Sequence, residues 1–130
     1  MLDPGRVRTF AVLAGIVILA VTLAALLTPG IRPGEISNET GHFLLFAGLG
    51  FVVGLYRGAG PHRGILRHLI GLLVALLVVA ALTELGQFFV EDRSPERADL
   101  IADAAGSAAG LFSGALVGLI VAGRPGRNRP

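Results

Sequence analysis

A chain of 130 residues is one domain at most, and its 53% hydrophobic and 15% charged residues set it apart from soluble domains, which carry about 25% charged residues. A mean hydropathy of +0.74 and long uncharged stretches exclude a soluble or disordered chain. The absence of Cys excludes disulfides, thiolate metal sites and Cys nucleophiles. The eleven basic residues are all Arg, the net charge is +2, and the arginines lie between apolar runs; they read as membrane topology, with no nucleic-acid partner expected.

Four apolar runs follow one another. A bilayer core of about 30 Å needs about 20 helical residues. The first run, Thr9–Thr28, is closed by Pro29-Gly30 and predicts a helix over about 9–28. It is longer than the 7–15 residues of a signal-peptide core, and no small-x-small site precedes Pro29, so it is expected to stay as a helix. The second run, Thr40–Tyr56, ends at Arg57 and predicts a short helix over 40–56, about 25 Å long. The third, Leu69–Val90, is interrupted only by Glu84 and predicts a helix over 69–90. The fourth, Leu100–Gly123, is interrupted only by Asp103 and predicts a helix over 99–123. None alternates with period two, which argues against a barrel. The expected fold is all-α: one membrane-embedded domain over residues 1–130, a bundle of four transmembrane helices.

The loops orient it. Arg6, Arg8, Arg57, Arg63, Arg67, Arg124, Arg127 and Arg129 fall on one side of such a bundle; Arg32, Arg93 and Arg97 fall on the other. The positive-inside rule then places both termini in the cytoplasm of a multi-pass cell-membrane protein. Glu35, Glu39, Glu91, Asp92, Glu96 and Asp99 share the outer side.

Helices in lipid associate through close packing, since lipid tails are as apolar as Leu. Ala102, Gly106, Gly110, Gly114 and Gly118 recur every four residues on the fourth run and draw a groove where a neighbouring backbone can approach. Gly50 and Gly54 form a shorter version on the second. On the third, Gly71, Ala75, Val79 and Thr83 lead along one expected small face to Gln87.

Ionisable residues inside a membrane are costly and mark functional sites by default. The topology sends His42, Glu84, Gln87, Asp99 and Asp103 to the same outer depth, with Arg93 and Arg97 in the connection just above. Each has a plainer reading. Asp99 suits the first turn of the fourth helix, Arg97 a solvated loop, and His42 an interfacial position. Arg93 is expected to pair with Asp99 or Asp103. Glu84 lies about two turns inside an apolar run, where either a structural pairing or a ligand accounts for it. No phosphate loop, H-E-x-x-H or G-x-S-x-G is present. One His with three carboxylates is a donor set for a divalent ion, but the spacing matches no ligand signature, so neither a metal nor a cofactor is expected.

The stretch Glu84-Leu-Gly-Gln87, then Arg93, then Asp99-Leu-Ile-Ala-Asp103-Ala-Ala-Gly106-Ser-Ala-Ala-Gly110 resembles the signature of the VanZ-like family of membrane proteins. His42 in Gly41-His42-Phe43-Leu44-Leu45-Phe46 is similar to that family's His at the start of an earlier helix. The resemblance covers about Gly41 to Gly118. Asp103 stands where the family has Asn, Phe46 where it usually has Tyr, and Glu39 where Lys is often found. The resemblance implies a small multi-helix membrane protein with these polar residues at its site, and a link to resistance against teicoplanin, a lipoglycopeptide.

Three functions compete. The first is binding of an amphiphilic or cell-envelope ligand, such as a lipid, glycolipid or lipoglycopeptide, at the outer polar site. The second is an enzyme acting on a lipid head group, with Glu84 or Asp103 as base and His42 as acid or metal ligand. The third is a structural or transport subunit, a homo-oligomer assembled through the glycine groove.

Overall fold

The computed structural model describes residues 3–27, 37–61, 63–90 and 96–123. They form four helices: α1 (Pro4–Leu27), α2 (Asn38–Gly58), α3 (Ile65–Gln87) and α4 (Arg97–Ala122). All four are long and apolar enough to cross a membrane.

Local chemistry sets the ends and shifts them from the expected bounds. Asp3 starts α1 five residues before Thr9: its carboxylate accepts from the backbone N–H groups of Gly5 (3.3 Å) and Arg6 (3.2 Å), and Pro4 fits a first helical position. Ser37 caps α2 by accepting from Thr40 N–H at 3.3 Å. With 21 residues, about 31 Å at 1.5 Å each, α2 is a full span and not the short one expected. Gly64, at φ 61°, precedes α3 in a left-handed conformation that favours Gly, and lets the helix begin at Ile65. α3 stops at Gln87, short of Val90. The N–H groups of Phe88, Phe89 and Val90 turn instead to the carbonyls of Leu85, Gly86 and Gln87, tightening the last turn. The expected end of the first helix at Thr28 lies outside the described residues.

Burial is inverted relative to a water-soluble protein. Leu13, Ile16, Ile70, Val78, Leu82 and Ile120 are exposed, while Thr22, His42, Thr83, Glu84, Gln87, Asp99, Asp103 and Ser107 are buried. Such a surface suits a hydrocarbon solvent, in which polar groups must find partners inside the bundle.

α2 and α4 make the most intimate contact, and they run parallel. Gly106 faces the Phe43 carbonyl, Gly110 that of Ala47, Gly114 that of Phe51 and Gly118 that of Leu55. The small residues are reciprocal. A Cβ on Gly50 would lie 2.6 Å from the Ser107 carbonyl oxygen, and Gly54 and Gly58 face the carbonyls of Leu111 and Ala115 in the same way. Each helix therefore offers a row of glycines to the backbone of the other. Such rows are inclined to the helix axis, so a crossing partner can follow them for several turns.

The expected small face of α3 is not the packed one. Gly71 has no neighbour within 4 Å of where its Cβ would be, and the buried residues are Leu69, Leu76, Ala80, Thr83, Glu84 and Gln87. Steps of four residues drift about 40° each around a straight helix of 3.6 residues per turn, so a row that faces inward at Gln87 has rotated outward by Gly71. Gly71→Ala should therefore leave the fold intact and raise stability by about 0.5–1 kcal/mol through helix propensity. A loss of thermal stability in detergent would show that this position touches something after all.

Beneath the polar end, the interior is apolar in layers. Phe46 and Ala80 come first, then Leu49, Leu69, Leu76, Leu111 and Ala115. The far end is closed by Val7, Ala11, Leu55, Ala59 and Ala122. There Arg8 donates to the Tyr56 hydroxyl at 2.6 Å and stacks 4.4 Å from the centre of its ring, tying α1 to α2. The Arg57 guanidinium reaches the Arg63 carbonyl at 3.2 Å and also the Pro61 carbonyl, bracing the turn into α3.

Candidate functional site

The parallel course of α2 and α4 puts the same turn of each at the same depth. Asn38 lies beside Asp99, and one turn further His42 lies beside Asp103; each pair is separated by 61 residues. Both steps are four residues, so Asn38 with His42, and Asp99 with Asp103, share one face of their helices. α3 runs the opposite way and brings Glu84 and Gln87 to this end.

His42 is the centre. Its Nδ1 lies 2.9 Å from Asp103 Oδ1 and 3.7 Å from Glu84 Oε1. Its Nε2 lies 3.6 Å from Asp99 Oδ2 and 3.5 Å from the Gln87 amide nitrogen. Asn38 donates its amide to Asp99 Oδ2. Glu84 Oε2 accepts from the backbone N–H of Glu96 at 3.1 Å, at the start of α4. His42, Gln87, Asp99 and Asp103 are at most 1% exposed and Glu84 is 6% exposed, so the cluster is interior. Phe46, one turn below His42 and fully buried, seals its apolar floor.

The cluster is unbalanced in two ways. Three carboxylates surround one imidazole, and His42 is the only basic side chain within ion-pair distance of them among the described residues. Several acceptors are also idle: Glu84 Oε1, Asp99 Oδ1 and Asp103 Oδ2 are buried without a hydrogen bond, as is Ser107 Oγ one turn below Asp103. Buried polar groups are normally paired, so these acceptors call for a donor, a water, an ion or a ligand; Thr22 Oγ1 and Arg8 Nε, away from the cluster, are unpaired as well. The set can hold a cation, accept hydrogen bonds from a donor-rich group, or pass a proton between His42 and a carboxylate.

His42, Glu84, Gln87, Asp99 and Asp103 thus meet in one place. Asp99 does occupy the first turn of α4, but its side chain points inward to Asn38 and His42 instead of capping the helix, whose N-cap is Glu96. Arg97 is exposed. Arg93, expected to fold over the acids, lies outside the described residues. Gly106, Gly110, Gly114 and Gly118 lie on the α2 side of α4, below the acids. Three contributors were not singled out from the sequence: Asn38, the Glu96 N–H and Ser107. The first carried a readable signal, because Asn38 precedes His42 by the same four residues that separate Asp99 from Asp103.

No family model, no curated protein and no solved structure matches the chain.

Proposed function

We propose that this is a VanZ-like multi-pass membrane protein whose polar cluster lies at the outer end of the bundle and binds the head group of an amphiphilic cell-envelope component. The observation that carries this reading is the set of idle acceptors, Glu84 Oε1, Asp99 Oδ1 and Asp103 Oδ2, buried at one end of the bundle. Acceptors without donors call for a ligand rich in hydroxyl or ammonium groups, as in a glycolipid or a lipoglycopeptide. A lipid tail would then lie along the exposed apolar helix faces. The link to teicoplanin resistance rests on the VanZ-like motif residues alone.

The test is the lipid that stays with the purified protein. Native mass spectrometry should show a glycolipid or amino-lipid on the wild type, and Glu84→Gln should lose it while remaining folded and inserted. A cluster that only staples three helices predicts the reverse: Glu84→Gln loses stability, and whatever lipid is bound stays bound. Expression in a teicoplanin-sensitive host, with and without Glu84→Gln, reads the resistance link separately.

Outward orientation has its own test. The chain lacks Cys, so single cysteines at the exposed positions Glu39 and Arg63 are the only thiols in their variants. An impermeant maleimide should label Glu39→Cys and spare Arg63→Cys in intact cells. Labelling of Arg63→Cys alone inverts the protein and moves the site to the cytoplasmic leaflet.

A second reading, head-group chemistry, draws on the 2.9 Å approach of His42 Nδ1 to Asp103 Oδ1, which suits a general acid–base pair. Turnover of the copurifying lipid by wild type, absent in Asp103→Asn, would favour it over binding.

A further inference from the structure

We infer that His42, Glu84 and Asp103 bind one divalent first-row transition-metal cation, with a position left for water or an oxygen of the head group. The inference rests on the reading above that the cluster is a ligand site and not a staple. The three side chains come from three different helices, each offers one ligand atom, and these atoms lie within 4.8 Å of one another. Bonds of about 2.0–2.2 Å separate neighbouring ligand atoms by about 2.9–3.6 Å, depending on coordination number. The distances from His42 Nδ1 to Asp103 Oδ1 (2.9 Å) and Glu84 Oε1 (3.7 Å) bracket that range.

The unpaired atoms point the same way. Glu84 Oε2 is occupied by the Glu96 N–H, which leaves Oε1 buried, without a hydrogen bond and directed at His42 Nδ1. Asp103 Oδ2 is likewise buried and unpaired. Metal-bound imidazoles usually donate their other N–H to a carboxylate; Asp99 Oδ2, held by Asn38, lies 3.6 Å from His42 Nε2 and would have to close in for that bond, with Gln87, now 3.5 Å from Nε2 through its amide nitrogen, turning its donor away. A dication also offsets the surplus of carboxylates over basic groups among the described residues, where a low dielectric makes unpaired charge expensive.

The donor set narrows the ion. One imidazole nitrogen with carboxylate oxygens and no thiolate suits Zn²⁺, Mn²⁺, Fe²⁺ or Co²⁺; Cu⁺ prefers sulfur, and Mg²⁺ and Ca²⁺ prefer oxygen alone. Binding requires His42 Nδ1 without a proton, so the ion takes the place of any proton shared by His42 Nδ1 and Asp103 Oδ1, and that proton leaves to solvent.

The test uses the full chain in detergent, stripped with EDTA and titrated with Zn²⁺ and Mn²⁺, with no lipid added. One ion per chain should bind. Glu84→Gln and Asp103→Asn should each weaken binding at least tenfold, and Glu39→Gln should leave it unchanged. If the site variants do not fold, the wild-type ligands decide. In a His62→Gln/His68→Gln double variant the only imidazole left is His42, and bound Mn²⁺ should show nitrogen hyperfine coupling. No binding at millimolar metal, equal binding by the folded variants, or no nitrogen coupling would each overturn the inference. Metal binding without a copurifying amphiphile would leave this inference standing and remove the head-group reading.

Discussion

Gly110→Leu should remove the folded protein from detergent or lower its melting temperature by roughly 10 °C or more. The added side chain would begin inside the Ala47 carbonyl and the Phe51 backbone. Side-chain overpacking costs about 1–3 kcal/mol because rotamers can give way. Backbone has no rotamers, so the whole α2–α4 contact has to open, and the upper end of that range or beyond applies. A loss of about 3 kcal/mol in a domain of this size corresponds to the stated shift. Gly114→Leu meets the Phe51 carbonyl and should behave alike. Circular dichroism melts with size-exclusion chromatography read both variants beside Gly71→Ala. Equal melting temperatures for Gly110→Leu and Gly71→Ala would mean that α2 and α4 are not packed as described.

His42→Phe should be the most damaging change within the polar cluster, lowering stability by about 3–5 kcal/mol, the usual consequence of stripping one partner from a buried charged group. The ring has room, since Phe is close in shape to His. What is lost is the one side chain among the described residues that faces Asp103, Asp99 and Glu84 together. Adding Asp103→Asn should recover at least about 1 kcal/mol, because an amide can stay buried without a counter-charge. This double-mutant comparison separates electrostatics from packing. If His42→Phe melts with the wild type, His42 is not the centre of the cluster.

The number of helices and the gathering of His42, Glu84, Gln87, Asp99 and Asp103 were legible because both follow from topology. Four apolar runs alternate in direction, so the start of α2, the end of α3 and the start of α4 have to share a face of the membrane. The period-four glycines of α4 were legible too, since close approach requires small residues at that spacing. Details that depend on helix rotation were not. Gly71 and Ala75 looked like a continuation of the row ending at Gln87, yet a four-residue step drifts on a straight helix and both are exposed. Helix ends were missed wherever polar residues extend a helix beyond its apolar run, as at Asp3 and Ser37. The Glu96 N–H could not be read at all, because a backbone donor leaves no trace in the residue type.

The parallel pairing of α2 with α4 also imposes an order on biogenesis. α2 is the least apolar span, with a mean hydropathy of 1.3 over its best window against 2.5 for α3, and it carries His42. Its partner residue is made 61 positions later. At about 5–20 residues per second, His42 waits roughly 3–12 s on the ribosome's clock before Asp103 exists. During that interval the glycines of α4 and the Asp103 carboxylate are not there to hold it, and Glu84 on α3 follows only 42 positions after His42. Until α4 arrives, α2 depends on its own modest apolarity and on its packing against α1 and α3, so a pause or truncation before α4 would leave its glycine row and His42 without their main partner.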